Sequence, residues 1–340
     1  MHTTAPSRQW TPTRGHPSAR PRVPLLSVIA LVMALLAAAC GRGGEASGED
    51  GFTLRIGMTS VTGTPQGNLG WGHEHDLFLE ALRPAGVTDI EFSFFQAGTD
   101  VSSALVSGAI DVAVTGDFPA LATRGSGAQT RLLGLAAING DTWLIGRQDG
   151  PTTIEGLVGG TVTAPHGTIR HRVAYGLLHA AGLEDQIEIA NVPTPESLSG
   201  LASGSIDATV VGGVTAVELE QEGYIVIDRA SNHPELLSTE PTTALQEFLD
   251  AHPGFVEAWQ EALVTVNQHI RQNAEAYWEY VADLEDTTAE VAAVAEPVER
   301  YNTEPFPEEG IRQLAATQQF LREQGLLESD FDIDEWIVRP

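Results

Sequence analysis

Thr115-Gly116-Asp117 closes a short apolar run, and Phe118-Pro119 follows it. The Thr115 hydroxyl can donate or accept a hydrogen bond. Gly116 lets a ligand approach the backbone and leaves its N–H free to point outward. Asp117, with proline two residues on, reads as the N-cap of a helix over 118–123, so its carboxylate has a local use. Consecutive amides at such a helix start form a concavity that suits an anion. A second stretch, Ala164-Pro165-His166-Gly167-Thr168-Ile169-Arg170-His171, again opens a helix with a glycine and a hydroxyl, which Thr168 would use as a cap. Arg170 falls in the first turn, where the helix dipole disfavours a cation. An anion in a neighbouring cleft accounts for that placement, and so does simple exposure to solvent. The third stretch, TSVTGTPQGNLGWG at 59–72, offers the hydroxyls of Thr59 and Thr62 among glycines.

None of these stretches pairs a nucleophile with a base. There is no GxSxG, no Walker-type loop and no CxxC. His73-Glu74-His75-Asp76 invites a metal reading, but histidines at i and i+2 do not share a helix face. It reads instead as a polar helix start. Neither a metal nor a cofactor is called for.

The elements that must position these groups alternate between short apolar strands and helices, which predicts an α/β fold. Strands are expected at 53–58, 90–95, 111–114, 131–138 and 143–146, with helices around 71–82 and 100–107 and a short one at 152–157. The pattern then restarts, with strands at 161–164, 187–192, 208–211 and 224–227 and helices at 168–181, 195–202 and 215–222. LVSGAIDVAVTGD (105–117) returns as LASGSIDATVVGG (201–213), so each βαβαβ unit ends its third strand on nearly the same words. Open parallel sheets bind ligands beyond the carboxyl ends of their strands. The tips at Thr115-Gly116-Asp117 and Val211-Gly212-Gly213 are therefore expected to face each other across a cleft. Beyond Ser231, long 3.6-period stretches at 255–284, 287–300 and 308–324 predict a helical region, with Phe255, Trp259, Leu263, Val266 and Ile270 inward. Trp278 and Tyr280 are expected in the core.

The chain has 340 residues, is 42% apolar and carries a formal charge of −28, with arginine as every one of its 18 cationic side chains other than histidine. Phosphate binding needs a basic face, so a nucleic-acid partner is excluded. A salty exterior and a codon bias against lysine explain the charge equally well. Cys40 is the only cysteine, so no internal disulfide can form. A basic leader with Arg8, Arg14, Arg20 and Arg22 precedes VPLLSVIALVMALLAAA, an apolar core of signal-peptide length. The small residues before Cys40 look like the lipobox of a bacterial lipoprotein, with Ala37 where leucine is usual. An uncleaved anchor is the alternative, and both place the rest outside the cytoplasm. GRGGEASGEDG (41–51) has the composition of a tether.

These features together resemble the substrate-binding lipoproteins of ABC importers for aliphatic sulfonates, taurine and nitrate, a family with relatives that bind thiamine-precursor pyrimidines. LRIGM, SGAIDVAVTGDFPAL, HGTIRHRVAYGLLHAAGL and LASGSIDATVV carry the resemblance, and FLDAHPGFVEAW and FLREQGLLESDFDIDEWI fit its C-terminal helices. It implies a two-lobed periplasmic-binding-protein type 2 fold, with two βαβ-based lobes joined by hinge strands and a helical C-terminal region. The expected organisation is a signal peptide at 1–39, a tether at 40–52, lobe 1 from 53–146, lobe 2 from 147–240, and a return strand and helices at 241–340 packing mainly on lobe 1. Hinge strands are expected near 142–147 and 241–245. The resemblance implies ligand contacts from Thr115, Gly116, Asp117, Thr168 and His171. Thr59, Thr62, His166, Gly167, Arg170, Gly212 and Gly213 join them from the loop readings above. Gly212-Gly213-Val214 stands where the family often has Trp-Asp-Pro, which points to a roomier site. Arg170 and Arg172 replace a small residue and an aromatic.

The expected function is therefore a non-enzymatic, monomeric receptor lipidated on Cys40. It hands a small organic anion to a permease and its ATPase. Nitrate, taurine and a heterocycle are alternative ligands, and a same-fold biosynthetic enzyme is the rival class. A neutral or cationic ligand, with Asp117, Glu74 and Asp76 turned inward, is a further reading.

Overall fold

The computed structural model describes residues 51–60 and 63–340. The leader, Cys40, nearly all of the tether and Thr62 lie outside the described residues. Residues Asp50–Pro340 form one compact unit.

Two five-stranded sheets organise it. The first contains β1 (Phe52–Thr59), β2 (Val87–Phe95), β3 (Val112–Val114), β4 (Thr130–Gly140) and β10 (Ser238–Leu245), in the order β2-β1-β3-β10-β4. The second contains β5 (Thr142–Gly146), β6 (Val162–Thr163), β7 (Ile189–Ala190), β8 (Ala208–Gly212) and β9 (Ile225–Arg229), in the order β7-β6-β8-β5-β9. Each sheet has three parallel strands and then one antiparallel strand, β10 or β5. The repeat in the sequence is thus a repeat in topology. Helices α1 (Gly67–Glu74), α2 (Leu77–Leu82), α3 (Gly98–Val106) and α4 (Asp117–Gly125) belong to the first lobe, and α5 (Ile169–Ala180), α6 (Thr194–Ser203) and α7 (Gly213–Gln221) to the second.

The shared words of the repeat do the same work twice. Gly108 (φ 72°) and Gly204 (φ 77°) take the left-handed turn that ends α3 and α6, a conformation that suits glycine. The following aspartates tie each third strand to the first. Asp111 accepts from the Arg55 N–H and Asp207 from the Thr161 N–H, both at 2.9 Å. Each also pairs with an arginine, Asp111 with Arg55 at 2.5 Å and Asp207 with Arg147 at 3.2 Å.

The first-lobe core takes its largest contribution from α9 (Phe255–Gln272), whose Phe255, Trp259, Leu263, Val266 and Ile270 are buried at the expected period. α8 (Gln246–Ala251) leads into it from β10. The predicted helix at 255–284 is two helices. Asn273 leaves helical geometry (φ −125°, ψ 40°) and its side chain takes up the His269 carbonyl before α10 (Ala274–Glu285) begins. Likewise the helix predicted over 71–82 breaks at Asp76, which is left-handed (φ 57°), so His73–Asp76 is a helix junction and not a helix start. His75 stacks on Trp71 at 3.9 Å there. α11 (Ala289–Ala295) packs on α7 of the second lobe, with Val291 in that lobe's apolar cluster. α12 (Glu308–Glu323) and α13 (Ile333–Trp336) close the first lobe's other side. Phe320 of α12 also reaches Tyr175 on the second lobe, with ring centroids 5.5 Å apart. The C-terminal helices therefore touch both lobes.

The lobe boundary differs from the expected one. β5 was expected to finish the first lobe, but it pairs with β8 and β9 at the centre of the second sheet. The chain crosses at Asp141, the sole residue between β4 and β5, and returns at Ser238. TWLIG is an apolar strand that fits either sheet, and only its pairing with β8 decides which.

Candidate functional site

The crossing brings two sheet edges together. β4 runs parallel to β3, so Gly140 lies at the carboxyl edge of the first sheet. β5 runs antiparallel to β8, so Thr142 pairs with Gly212 at the carboxyl edge of the second. With only Asp141 between them, the two carboxyl edges meet, as ligand sites in open α/β sheets require.

A pocket of about 460 Å³ lies at this junction. Arg170, Gly212 and Gly213 line it from the second lobe, Asn139 and Ser238 from the first, and Glu296 from the segment after α11. Gly212 and Gly213 present bare backbone to it. Gly212 is the N-cap of α7 and no side chain caps that helix. A Cβ at Gly213 (φ 62°) would meet nothing within 4 Å. The first amides of α7 therefore lack a side-chain acceptor, and the helix dipole adds to their pull on a negative group.

Two arginines line the pocket, and their situations differ. Arg300 pairs with Glu296 and Glu240, each at 2.6 Å. Burial works against its charge, but Glu296 and Glu240 overcome that and hold its pKa well above the ordinary value. Glu240 is itself pushed up by burial, with Arg300 pulling back. Tyr301 donates to Glu296 at 2.8 Å, and Tyr277 meets Tyr301 at 2.5 Å. Burial raises both phenols far above their usual pKa, so this network holds its protons on the tyrosines. Arg170 has no hydrogen bond or ion pair among the described residues. Burial alone lowers its pKa. Half-buried and without a counter-ion, its guanidinium is open to an anion in the pocket.

The other predicted residues divide sharply. Gly116 caps α4 with open space at its Cβ position. Thr115 is buried, and its hydroxyl donates to the Gly116 carbonyl at 3.1 Å. Asp117 is fully buried and does not line the pocket. It was expected to cap its helix, but it is the helix's first residue. Its Oδ2 accepts from the Thr239 N–H at 3.2 Å and the Thr317 hydroxyl at 2.9 Å. Burial raises its pKa, against the pull of Arg172. Thr168 occupies the N-cap of α5, yet its hydroxyl donates to the Pro165 carbonyl at 2.6 Å and does not cap. Gly167 takes the left-handed turn before it (φ 73°). His166 is exposed and stacks on His171, with ring centroids 4.3 Å apart. Burial, and then His166, lowers the pKa of His171, whose Nδ1 has no partner. Thr59 is exposed at the tip of β1.

Sequence reasoning missed Glu296, Arg300 and Asp141. Arg300 lies in AEPVERY, where flanking acids make it look like a solvated surface group. Among the described residues there is no cluster of metal-ligating side chains and no helix long and apolar enough to cross a membrane.

The NMT1-like family matches residues 52–284. No curated protein matches significantly. Among solved structures, the fold is similar to the periplasmic aliphatic sulphonate binding protein SsuA from Escherichia coli. The two chains are 20% identical, with a TM-score of 0.68 over 85% of this chain and 92% of that one. The alkanesulfonate-binding protein SsuA from Xanthomonas axonopodis pv. citri, bound to MOPS, is 18% identical, with a TM-score of 0.69 over 86% of this chain and all of that one. The desulfurization enzyme DszB shares the fold at 18% identity, with a TM-score of 0.64 over 84% and 96%. The fold thus serves both binding proteins and an enzyme.

Proposed function

We propose that this chain, which belongs to the NMT1-like family, is the extracytoplasmic solute-binding receptor of an ABC importer and closes two lobes on a small organic anion. One observation carries the proposal: Arg170 stands without a counter-ion in the pocket between the lobes, beside the uncapped amides of α7. An anion there pairs the guanidinium, satisfies the amides and gains from burial in a low-dielectric crevice. An aliphatic sulfonate suits the site, because several oxygens can take hydrogen bonds from Arg170 and the amides together. The apolar pocket residues Val217, Leu237 and Val294 suit its hydrocarbon part. The SsuA likeness supports the same ligand class. Net negative charge elsewhere does not oppose this, since the screening length is about 8 Å at physiological salt.

Closure follows from differential contact, because a ligand touching both lobes stabilises the arrangement in which both touch it. Export, lipidation of Cys40 and delivery to a permease and ATPase complete the reading. A lipid-anchored protein released from the membrane by Cys40→Ser is the expected result for that part.

Thermal unfolding of the purified full chain against a panel of alkanesulfonates, taurine, nitrate and pyrimidines tests the ligand class. A ligand of the native state alone contributes about 2.7 kcal/mol at a hundredfold excess over its dissociation constant. Stabilisation by sulfonates and not by pyrimidines is expected. Stabilisation by pyrimidines alone contradicts the anion reading.

A further inference from the structure

We infer that the lobes turn about two single residues, Gly140 and Ser238, because the residue on either side of each is pinned to its own lobe. This rests on the reading of the chain as a two-lobed receptor, and it concerns how the lobes move, whichever solute they capture.

On the outgoing crossing, Asn139 is fixed to the first lobe. Its N–H donates to Gln313 Oε1 of α12 at 3.1 Å, and Gln313 Nε2 donates to Asn139 Oδ1. Asn139 also holds a left-handed backbone (φ 55°), which few residues adopt and which these bonds secure. Asp141, two residues on, is fixed to the second lobe. It accepts from the Ser231 N–H and hydroxyl, both at 2.9 Å, and from the Trp143 indole at 2.8 Å. Gly140 stands between the two anchors.

The return crossing repeats the arrangement. Arg172 of α5, fully buried, donates to the carbonyls of Leu236 at 3.0 Å, Leu237 at 3.4 Å and Glu235. That holds the chain to the second lobe as far as Leu237. Asp117 of α4 accepts from the Thr239 N–H and so holds the chain to the first lobe from Thr239 onward. Ser238 stands between. Buried charges with several hydrogen bonds make stiff anchors, since any movement that breaks them leaves a charge unpaired.

The two pivot residues face one another. Ser238 pairs with Gly140 across the β10–β4 ladder, and its hydroxyl donates to the Gly140 carbonyl at 3.2 Å. The ladder slips register immediately beyond, between Ser238 and Glu240, so regular pairing does not stiffen the pair. A Cβ at position 140 would fall on Ser238 Oγ, so a side chain there must turn that hydroxyl away from the Gly140 carbonyl. Asn139, Gly140, Asp141 and Ser238 all line the pocket, so a solute sits against the axis itself. α11 packs on the second lobe through Val291 and on the first-lobe core through Ala292, so it bridges the lobes beside the pivot. Asp117 and Arg172 are thus positioning residues that do not touch the solute.

The test is an interlobe distance distribution, measured without any solute by spin labels at Ser103→Cys on α3 and Ser199→Cys on α6 in the full chain carrying Cys40→Ser. Gly140→Ala and Ser238→Gly, each of which removes the hydroxyl's bond to the carbonyl of residue 140, should shift the distribution alike, and the double substitution should shift it no further. Arg172→Gln and Asp141→Asn should broaden the distribution and change the ratio of its states by about tenfold or more, the scale of hydrogen bonds to a charged group. Should Arg172→Gln fail to fold, Arg172→Lys, which keeps the charge but not the fork, is read in the same way. Folded variants with the parental distribution, or a double substitution at 140 and 238 that shifts it beyond either single one, would overturn the inference. The readout needs no ligand, so failure of every anion to bind leaves this result standing and refutes only the ligand class.

Discussion

The two strand tips begin from the same words and end in opposite employment. After SGAID and SGSID, both lobes run an apolar strand into a glycine-led helix. In the first lobe the next side chain is Asp117, which is sealed from solvent and spends its carboxylate on Thr239 and Thr317. In the second lobe the matching residue is Gly213, which has no side chain and leaves the helix amides open to the pocket. The frame is common, and one residue beyond it decides whether the tip is bonded into the protein or opens onto the pocket. A repeated motif therefore predicts shared architecture more securely than shared function.

The sharpest way to break this contrast is Asp117→Ala. It removes the acceptor for two buried donors and the counter-charge for Arg172, so a loss of about 3–5 kcal/mol is expected from denaturant unfolding. Gly213→Ala strains a left-handed residue and should cost about 1 kcal/mol. Equal losses at the two positions would remove the distinction. The common part of the frame is tested by Asp111→Ala and Asp207→Ala. Both should destabilise, each by about 1.5–3 kcal/mol, since each breaks hydrogen bonds to a charged group. Asp111→Ala should cost more, because Asp111 is 11% exposed against 28% for Asp207.

A smaller effect comes from His171. Burial and His166 lower its folded-state pKa, so the unfolded chain takes up the proton first as pH falls. Stability from this group is present above the unfolded value, about 6.5, and is lost as pH drops through the lower folded value. The melting temperature should fall from pH 7 to pH 5, and His171→Gln should flatten that slope.

Much of this was legible in the sequence. Apolar alternation and the repeated SGxID placed the strands, and the period through Phe255, Trp259, Leu263, Val266 and Ile270 placed α9. The helix breaks at Asp76 and Asn273 were not legible, because each ends a short polar run, 73–76 or 271–273, that the outer face of an unbroken amphipathic helix would also carry. The sheet to which β5 belongs was hidden, since its alternation fits two partners equally. Of the site, Arg170 and the glycine pair stood out because a cation in a first helical turn and two consecutive glycines both break local rules. Asp117 satisfied a local rule and so concealed its tertiary one, as its partners lie 122 and 200 positions away. Arg300 was masked in the same way, with Glu240 arriving from 60 positions upstream.

The most direct test of the central claim is calorimetric titration of an alkanesulfonate into the parental chain and into Arg170→Ala. One solute should bind per chain, and the substitution should weaken it by about tenfold or more, as expected for a hydrogen bond to a charged group, while the unfolding transition stays in place. Equal affinity in the two proteins, with both fully folded, would contradict capture of an anion by Arg170.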